Sequence, residues 1–416
     1  MLIPPIVHAN HLAGTVFTLV TASLAYPKIA HFRHRPPVLT KSIMISAGEA
    51  SGDLHAANLV AAYHALGGDA SFWGMGGPKL IAAGSELLVD SRELGYIGFV
   101  DVILHYRKII HELHKLREAM RDRRPDLVVL VDYPGFNMKL AHCAKSLGIP
   151  VLYYISPQIW AWRPQRIHEI GSVVDMMAVL FPFEVDIYRA AGIPVRFVGH
   201  PLIDTVTVGT ERGALHQKLG LRPGRPTLGF LPGSRSGEIS LILPILARAA
   251  RLVREQLGPI NCLVPVAHTL DPAKVQAMAG ALHADLITVQ GHTYDVVNAC
   301  DVIATSSGTA TLETAILGVP MTIVYRIGRL NYYLLKRLVT VDDIGLVNIV
   351  AGRRIVREFV QRQAQPADIA VELVRLLQDK DYAECMRSDL ADVKQRLGSG
   401  GANRRVAELV AELLAA

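Results

Sequence analysis

The chain has 416 residues, half of them hydrophobic and 6% aromatic, with a formal net charge of +6. That apolar content excludes a disordered chain, and the length calls for two domains or more, each burying its own core. The positive balance suits an anionic partner such as a nucleotide or a phospholipid surface. No basic stretch is interleaved with aromatics, so nucleic acid is not expected.

Cys143, Cys262, Cys300 and Cys385 are far apart and lack metal-ligand spacing, as expected of reduced thiols in a cytosolic protein. Residues 1–41 are expected to be a disordered extension. Their apolar run, Gly14 to Tyr26, falls short of the roughly twenty residues that span a bilayer. Lys28, Arg33 and Arg35 follow that run, whereas a signal peptide wants its charge before it.

Ser42 to Ala47 is predicted as the first strand and Leu54 to Leu66 as the first helix. The tight turn Gly48-Glu49-Ala50-Ser51-Gly52-Asp53 lies between them. Doubly wound sheets take ligands at such a turn, which makes Glu49, Ser51 and Asp53 candidate substrate contacts. Gly74-Met75-Gly76-Gly77 reads as a second loop of this kind, but Lys79 stands where a dinucleotide fingerprint wants its third glycine. Gly98 to Leu116 has helical spacing, with Phe99, Val102, Ile103, Tyr106, Ile110 and Leu113 on one apolar face. Val100, Leu104 and Ile109 widen that face, and Arg107, Lys108, Lys115 and Arg117 lie among and beyond it. Either it is a helix lying in an anionic headgroup layer or it is an ordinary core helix. Leu330 to Val339, with Tyr332, Tyr333, Lys336 and Arg337, is a second candidate of the same type.

Leu127 to Val131 is an unbroken apolar run, the mark of a fully buried parallel strand, and it ends in Asp132-Tyr133-Pro134-Gly135-Phe136-Asn137. Val151 to Ile155 is the next strand, and Val195 to Val198 closes the set. Residues 42–201 thus read as one Rossmann-like domain and 202–226 as an irregular hinge. Residues 227–385 repeat the alternation. Leu228 to Leu231 ends in a loop of Pro232, Gly233, Ser234 and Gly237, followed by the apolar helical run Ile239, Leu241, Ile242, Ile245, Leu246. Asn261 to Val266, Leu286 to Val289, Val302 to Ala304 and Pro320 to Tyr325 follow, the last taken as the final strand. Residues 386–416 form C-terminal helices, broken by Gly398-Ser399-Gly400-Gly401.

Asp132, at the carboxyl end of a buried strand, can be desolvated enough to act as a general base; otherwise it caps a turn through the backbone of Gly135 or Phe136. Gly233 and Ser234 offer free N–H groups at a helix start, and Arg235 adds a forked cation, a set that suits a phosphate. An ordinary turn with a surface arginine is the competing reading. Ser307, Gly308 and Thr309 start another helix that suits a pyrophosphate, with Glu313 one turn on for ribose hydroxyls. That start alone is usually a cap, but paired with the Arg235 loop it carries more. There is no His-Glu-x-x-His and no Gly-x-Ser-x-Gly, and the only Asp-x-Asp, Asp379-Lys380-Asp381, lies in a charged turn. No metal and no cofactor are therefore expected.

Several segments then occur in a telling order: Gly-Glu-Ala-Ser-Gly-Asp (48–53), Asp-Tyr-Pro-Gly-Phe-Asn (132–137) and Ser-Pro-Gln-Ile-Trp-Ala-Trp-Arg (156–163). Val-Gly-His-Pro (198–201), Leu-Pro-Gly-Ser-Arg (231–235), Ser-Gly-Thr-Ala-Thr-Leu-Glu (307–313) and Asn-Ile-Val-Ala-Gly-Arg-Arg (348–354) follow. From about Ile43 onward the chain resembles the lipid-A-disaccharide synthases, inverting glycosyltransferases of the GT-B type. The resemblance implies two Rossmann-like domains facing each other across a cleft, with the acyl acceptor in the first and UDP in the second. The last helix would cross back to the first domain. It implies UDP-2,3-diacylglucosamine and 2,3-diacylglucosamine 1-phosphate as substrates, a β-1,6 link as product, and work at the inner face of the cytoplasmic membrane. It matches Asp132 to the base, Arg235 to an essential arginine, Asn348 to a further active-site position and Glu313 to a ribose ligand. A UDP-N-acetylglucosamine 2-epimerase, another lipid-linked-sugar transferase and a non-catalytic nucleotide-sugar sensor are the alternatives, and a homodimer stays open.

Overall fold

The computed structural model describes residues 40–94, 105–161, 163–267, 269–328 and 343–416. The anchor candidates Phe99, Val102 and Ile103, the Leu330–Val339 segment and nearly all of the 1–41 extension lie outside them.

Two parallel sheets organise the chain. The first comprises β1 (Lys41–Ala47), β2 (Ala70–Gly76), β3 (Glu86–Asp90), β4 (Leu127–Val131), β5 (Val151–Tyr154), β6 (Met176–Val179) and β7 (Val195–Phe197), in the order β3-β2-β1-β4-β5-β6-β7. The second comprises β8 (Thr227–Leu231), β9 (Asn261–Val266), β10 (Leu286–Gln290), β11 (Val302–Thr305), β12 (Met321–Tyr325) and β13 (Glu358–Val360), in the order β10-β9-β8-β11-β12-β13. Each is doubly wound. The central strands β4, β5, β8, β9 and β11 are buried along their whole length, as strands covered by helices on both faces must be.

In each sheet the winding reverses between two neighbours, β1 and β4 in the first and β8 and β11 in the second. At such a switch point the connections leave in opposite directions, and the carboxyl ends of the two strands open a crevice. The crevices receive, respectively, the Gly48–Asp53 and Asp132 turns and the Gly233–Arg235 and Ser307–Thr309 turns.

Several expectations are corrected. Gly74 and Gly76 belong to β2 and not to a loop. Gly74, at φ 147°, presses on the Ile45 carbonyl where no Cβ fits, and the register with β3 shifts there. Pro320–Tyr325 is not the final strand, since β13 pairs beyond it. The stretch 202–226 is not wholly irregular, because Leu202–Thr205 and Arg212–Lys218 are helical. Leu241 is 38% exposed on an otherwise inward-facing helical pattern. In the helix Tyr106–Arg123, Leu113, Leu116 and Met120 are buried, and Ile109 and Ile110 pack on the same core. That face turns to the sheet and carries Ile110 half-buried, while Tyr106 is 54% exposed.

The C-terminal helices join the two halves. Lys380–Arg396 packs on the helices Thr309–Ile316 and Leu346–Ala351, whereas Ala402–Ala415 packs on Ala50–Ala65 of the first half. The turn between them is bolted to the end of β7. The Leu397 carbonyl accepts from His200 N–H (2.9 Å), Asp204 accepts from Gly401 N–H (2.8 Å), and Arg405 Nε donates to the Val198 carbonyl (2.7 Å). Among the described residues no helix is long and apolar enough to cross a membrane.

Candidate active site

At the first switch point, β4 ends in an elbow. Asp132 and Tyr133 both have φ 48°, the left-handed region that non-glycine residues rarely enter. The Tyr133 ring lies over Gly48, where any Cβ would overlap it. The two turns therefore interlock, and Gly48 is required by the close approach. The Asp132 carboxyl is pushed up to about 6, first by burial and then by the nearby Glu49 carboxylate, against the pull of the Tyr133 N–H. A carboxyl held there is ionised at neutral pH and basic enough to accept a proton. The capping alternative is not what the turn shows. The helix Pro134–Ser146 has no side-chain cap, and the Phe136 N–H donates to the Tyr133 carbonyl (3.2 Å).

Glu49 and Ser51 are exposed beside this elbow. Asp53 is 4% exposed, and its carboxylate accepts from the N–H groups of Gly77 (2.7 Å), Lys79 (3.0 Å) and Leu80 (3.1 Å). It ties the first turn to the start of the next helix. On neighbouring β5, the loop after the strand is pinned from below. Trp160 Nε1 donates to Glu184 (3.3 Å), and the Ser156 and Tyr188 hydroxyls share a hydrogen bond (2.7 Å). Burial raises the Glu184 carboxyl to about 7.

The second switch point opens on a cavity of about 980 Å³. Gly233, Ser234, Arg235, Ser307, Gly308, Thr309 and Glu313 all line it, so the structure brings this predicted set together. Ser306 N–H donates to the Leu231 carbonyl (2.7 Å), tying one turn to the other. Gly308, at φ 126°, caps the helix Thr309–Ile316 and presents its first N–H groups at the rim. Arg235 caps the helix Ser236–Leu257 and is 61% exposed at its side chain. Glu238 accepts from Arg235 Nη1 (3.2 Å) and from Ser234 N–H (3.2 Å), so a carboxylate rests where an anionic ligand would be gripped. Glu313 accepts from the Tyr294 hydroxyl (3.3 Å), and burial raises its carboxyl above the usual range.

The sequence reading missed the far wall, built from Gln290, Gly291, His292, Tyr294 and Asp295. Gly291-His292 follows β10 at its carboxyl end, and that placement was the available signal. Asp295 accepts from Gly209 (2.7 Å) and Thr210 (3.1 Å), pinning the inter-sheet segment to this wall. Asp132, Glu49 and Ser51 do not line the cavity.

Asn348 does not line it either. It is 1% exposed, donates to the Val356 carbonyl (2.8 Å) and Glu358 (2.8 Å), and accepts from Ile355 and Val356 N–H (2.9 Å each). Glu358 in turn accepts from Ile344 (3.0 Å) and Gly345 (2.8 Å), and the Ile344 carbonyl accepts from the Ser307 hydroxyl (2.8 Å). Asn348 thus supports the Ser307 turn from behind. Among the described residues, no three His, Cys, Asp or Glu side chains are grouped to hold a metal ion.

Among solved structures, the fold is similar to the calicheamicin glycosyltransferase CalG4, with a TM-score of 0.60 at 16% identity, over 91% of this chain and 99% of that one. It is equally similar to the UDP-GlcNAc 2-epimerase of Neisseria meningitidis, with a TM-score of 0.59 at 12% identity, over 89% and 100%. At such identities only the fold is shared. Sequence similarity goes further. The chain is 48% identical to the lipid-A-disaccharide synthase of Geobacter sulfurreducens, over 89% of this chain and 97% of that protein. The lipid-A-disaccharide synthetase family model matches residues 43–412. The two-sheet glycosyltransferase architecture, the nucleotide-sized cavity and these matches agree: the chain belongs to the lipid-A-disaccharide synthase family.

Proposed function

We propose that the two switch points divide one glycosyl transfer between them. UDP-2,3-diacylglucosamine seats its diphosphate in the second crevice. There Arg235 and the Ser234 N–H, exchanging Glu238 for the ligand, join the N–H groups of Gly308 and Thr309 in facing the growing negative charge, with Glu313 on the ribose side. The acyl acceptor, 2,3-diacylglucosamine 1-phosphate, presents its 6-hydroxyl to Asp132. As that oxygen bonds to the anomeric carbon, the bond to UDP breaks and the proton passes to the Asp132 carboxylate. Attack and departure on opposite faces invert the centre. Fixed donors of this kind lower barriers by several kcal/mol because they need no reorganisation during the reaction.

The observation that carries this reading is the Asp132 carboxyl, raised to about 6 at a strand end next to a turn of the same switch point. The N-terminal domain is then the acceptor side and 202–226 the hinge. Because both substrates bear acyl chains, the protein works against the inner face of the cytoplasmic membrane, with residues 99–106 as the contact. Incubating the purified protein with both acylated sugars should yield UDP and the β-1,6 disaccharide 1-phosphate in equal amounts. UDP release without disaccharide would contradict the assignment of the acceptor.

A further inference from the structure

Two consecutive non-glycine residues in the left-handed region, Asp132 and Tyr133, are costly and persist only where their surroundings over-determine them. The hydrogen bonds that do so converge on one atom. The Asp132 main-chain carbonyl accepts from Asn137 Nδ2 (2.7 Å) and from the Tyr153 hydroxyl (2.7 Å). Asn137 and Tyr153 are both fully buried. Asn137 reaches further, donating to the carbonyls of Val131 and Ser46 (3.2 Å each), while its oxygen accepts from the Ser46 hydroxyl (2.7 Å). Its two amide hydrogens thus serve three carbonyls, one of them shared. That set ties the ends of β1 and β4 together under the elbow. The Asp132 N–H is held as well, donating to the Tyr154 carbonyl (3.0 Å) on β5.

With its N–H and its carbonyl both anchored, the Asp132 backbone has one orientation, and so does the bond that carries its carboxylate. We infer that Asn137 and Tyr153 are positioning residues for the transfer reaction, holding the strained elbow through the Asp132 carbonyl. The inference rests on the reading of Asp132 as base. It goes beyond that reading by naming what keeps the base in place. Tyr153 serves through its hydroxyl alone, since its ring belongs to the core. Ser46 serves only by orienting the Asn137 amide.

The test compares Tyr153→Phe, Asn137→Ser, Asp132→Asn and the double variant Asp132→Asn/Tyr153→Phe. Each is assayed for kcat, KM for both sugars and UDP affinity, with Tm as the check on folding. Tyr153→Phe removes one hydroxyl and leaves the carbonyl its Asn137 bond, so the fold should persist even if Asn137→Ser does not fold. A slightly misplaced catalytic group should cost about tenfold or more in kcat, with KM within about twofold and UDP affinity unchanged. In the Asp132→Asn background the same hydroxyl should no longer matter, because there is no base left to position. A folded Tyr153→Phe with wild-type kcat would overturn the inference. So would an equal loss with and without Asp132, the signature of a merely structural role. Full activity in Asp132→Asn would sink the base itself; full dependence on Asp132 with none on Tyr153 would sink only the positioning.

Discussion

The two switch points share a topology and differ in almost everything else. At the first, the N–H and the carbonyl of Asp132 are both anchored, two residues sit in a strained conformation, and the carboxyl is raised by burial. At the second, Arg235 is 61% exposed, the donors are helix N-termini, and the walls enclose a large open cavity. On the proposed division of roles, the contrast teaches what each task demands. A base needs desolvation and a fixed direction, because its strength and alignment decide the rate. A leaving-group site must admit and release a whole nucleotide, so it relies on charge and dipoles that act without closing around the ligand.

The sharpest way to break the comparison is at the open site. Arg235→Ala should weaken UDP binding and lower turnover together, by about 10²–10³-fold in kcat, the usual loss for one donor to developing charge. Measuring UDP affinity beside kcat checks it, because a loss confined to kcat would move Arg235 out of nucleotide binding. A second, smaller effect concerns pH. Asp132 must be ionised to accept a proton, and its carboxyl lies at about 6. The kcat/KM of the wild-type protein should therefore be level above that pH and fall about tenfold per unit below it. Glu49→Gln removes the carboxylate that helps to raise Asp132, so the acid limb should move to lower pH. A limb that stays in place would show burial to be the whole cause. The smallest effect lies outside both crevices. Phe99→Ser/Val102→Ser/Ile103→Ser should reduce flotation with anionic vesicles while leaving UDP affinity untouched. Ile110→Ala should act on Tm instead, since its face packs on the core.

Much of this was legible in the sequence because buried parallel strands leave unbroken apolar runs. Leu127–Val131 and Leu228–Leu231 were readable for that reason, and the candidate site turns follow them directly. Patterns of hydrogen bonding were not legible. Asp53 and Asn348 are polar residues within motifs, and nothing in their identity tells a ligand contact from a residue satisfied by three backbone groups. The helix Tyr106–Arg123 shows a related limit, since an apolar stripe has a direction only once a sheet lies beside it. Gly74 deceived for another reason: the glycine serves strand contact with Ile45, where a turn glycine was expected. Glu358 comes to Asn348 only through the pairing of β13 with β12, a contact that spacing does not announce.

The division of labour is tested most directly by one pair of readings on Asp132→Asn. UDP affinity is measured by calorimetry, and turnover is measured with both acylated sugars. The account predicts UDP affinity within about twofold of wild type and turnover down by about 10²-fold or more, the weight of a general base. Turnover close to wild type, or UDP binding lost along with it, would contradict the claim that acceptor activation and nucleotide binding reside at separate switch points.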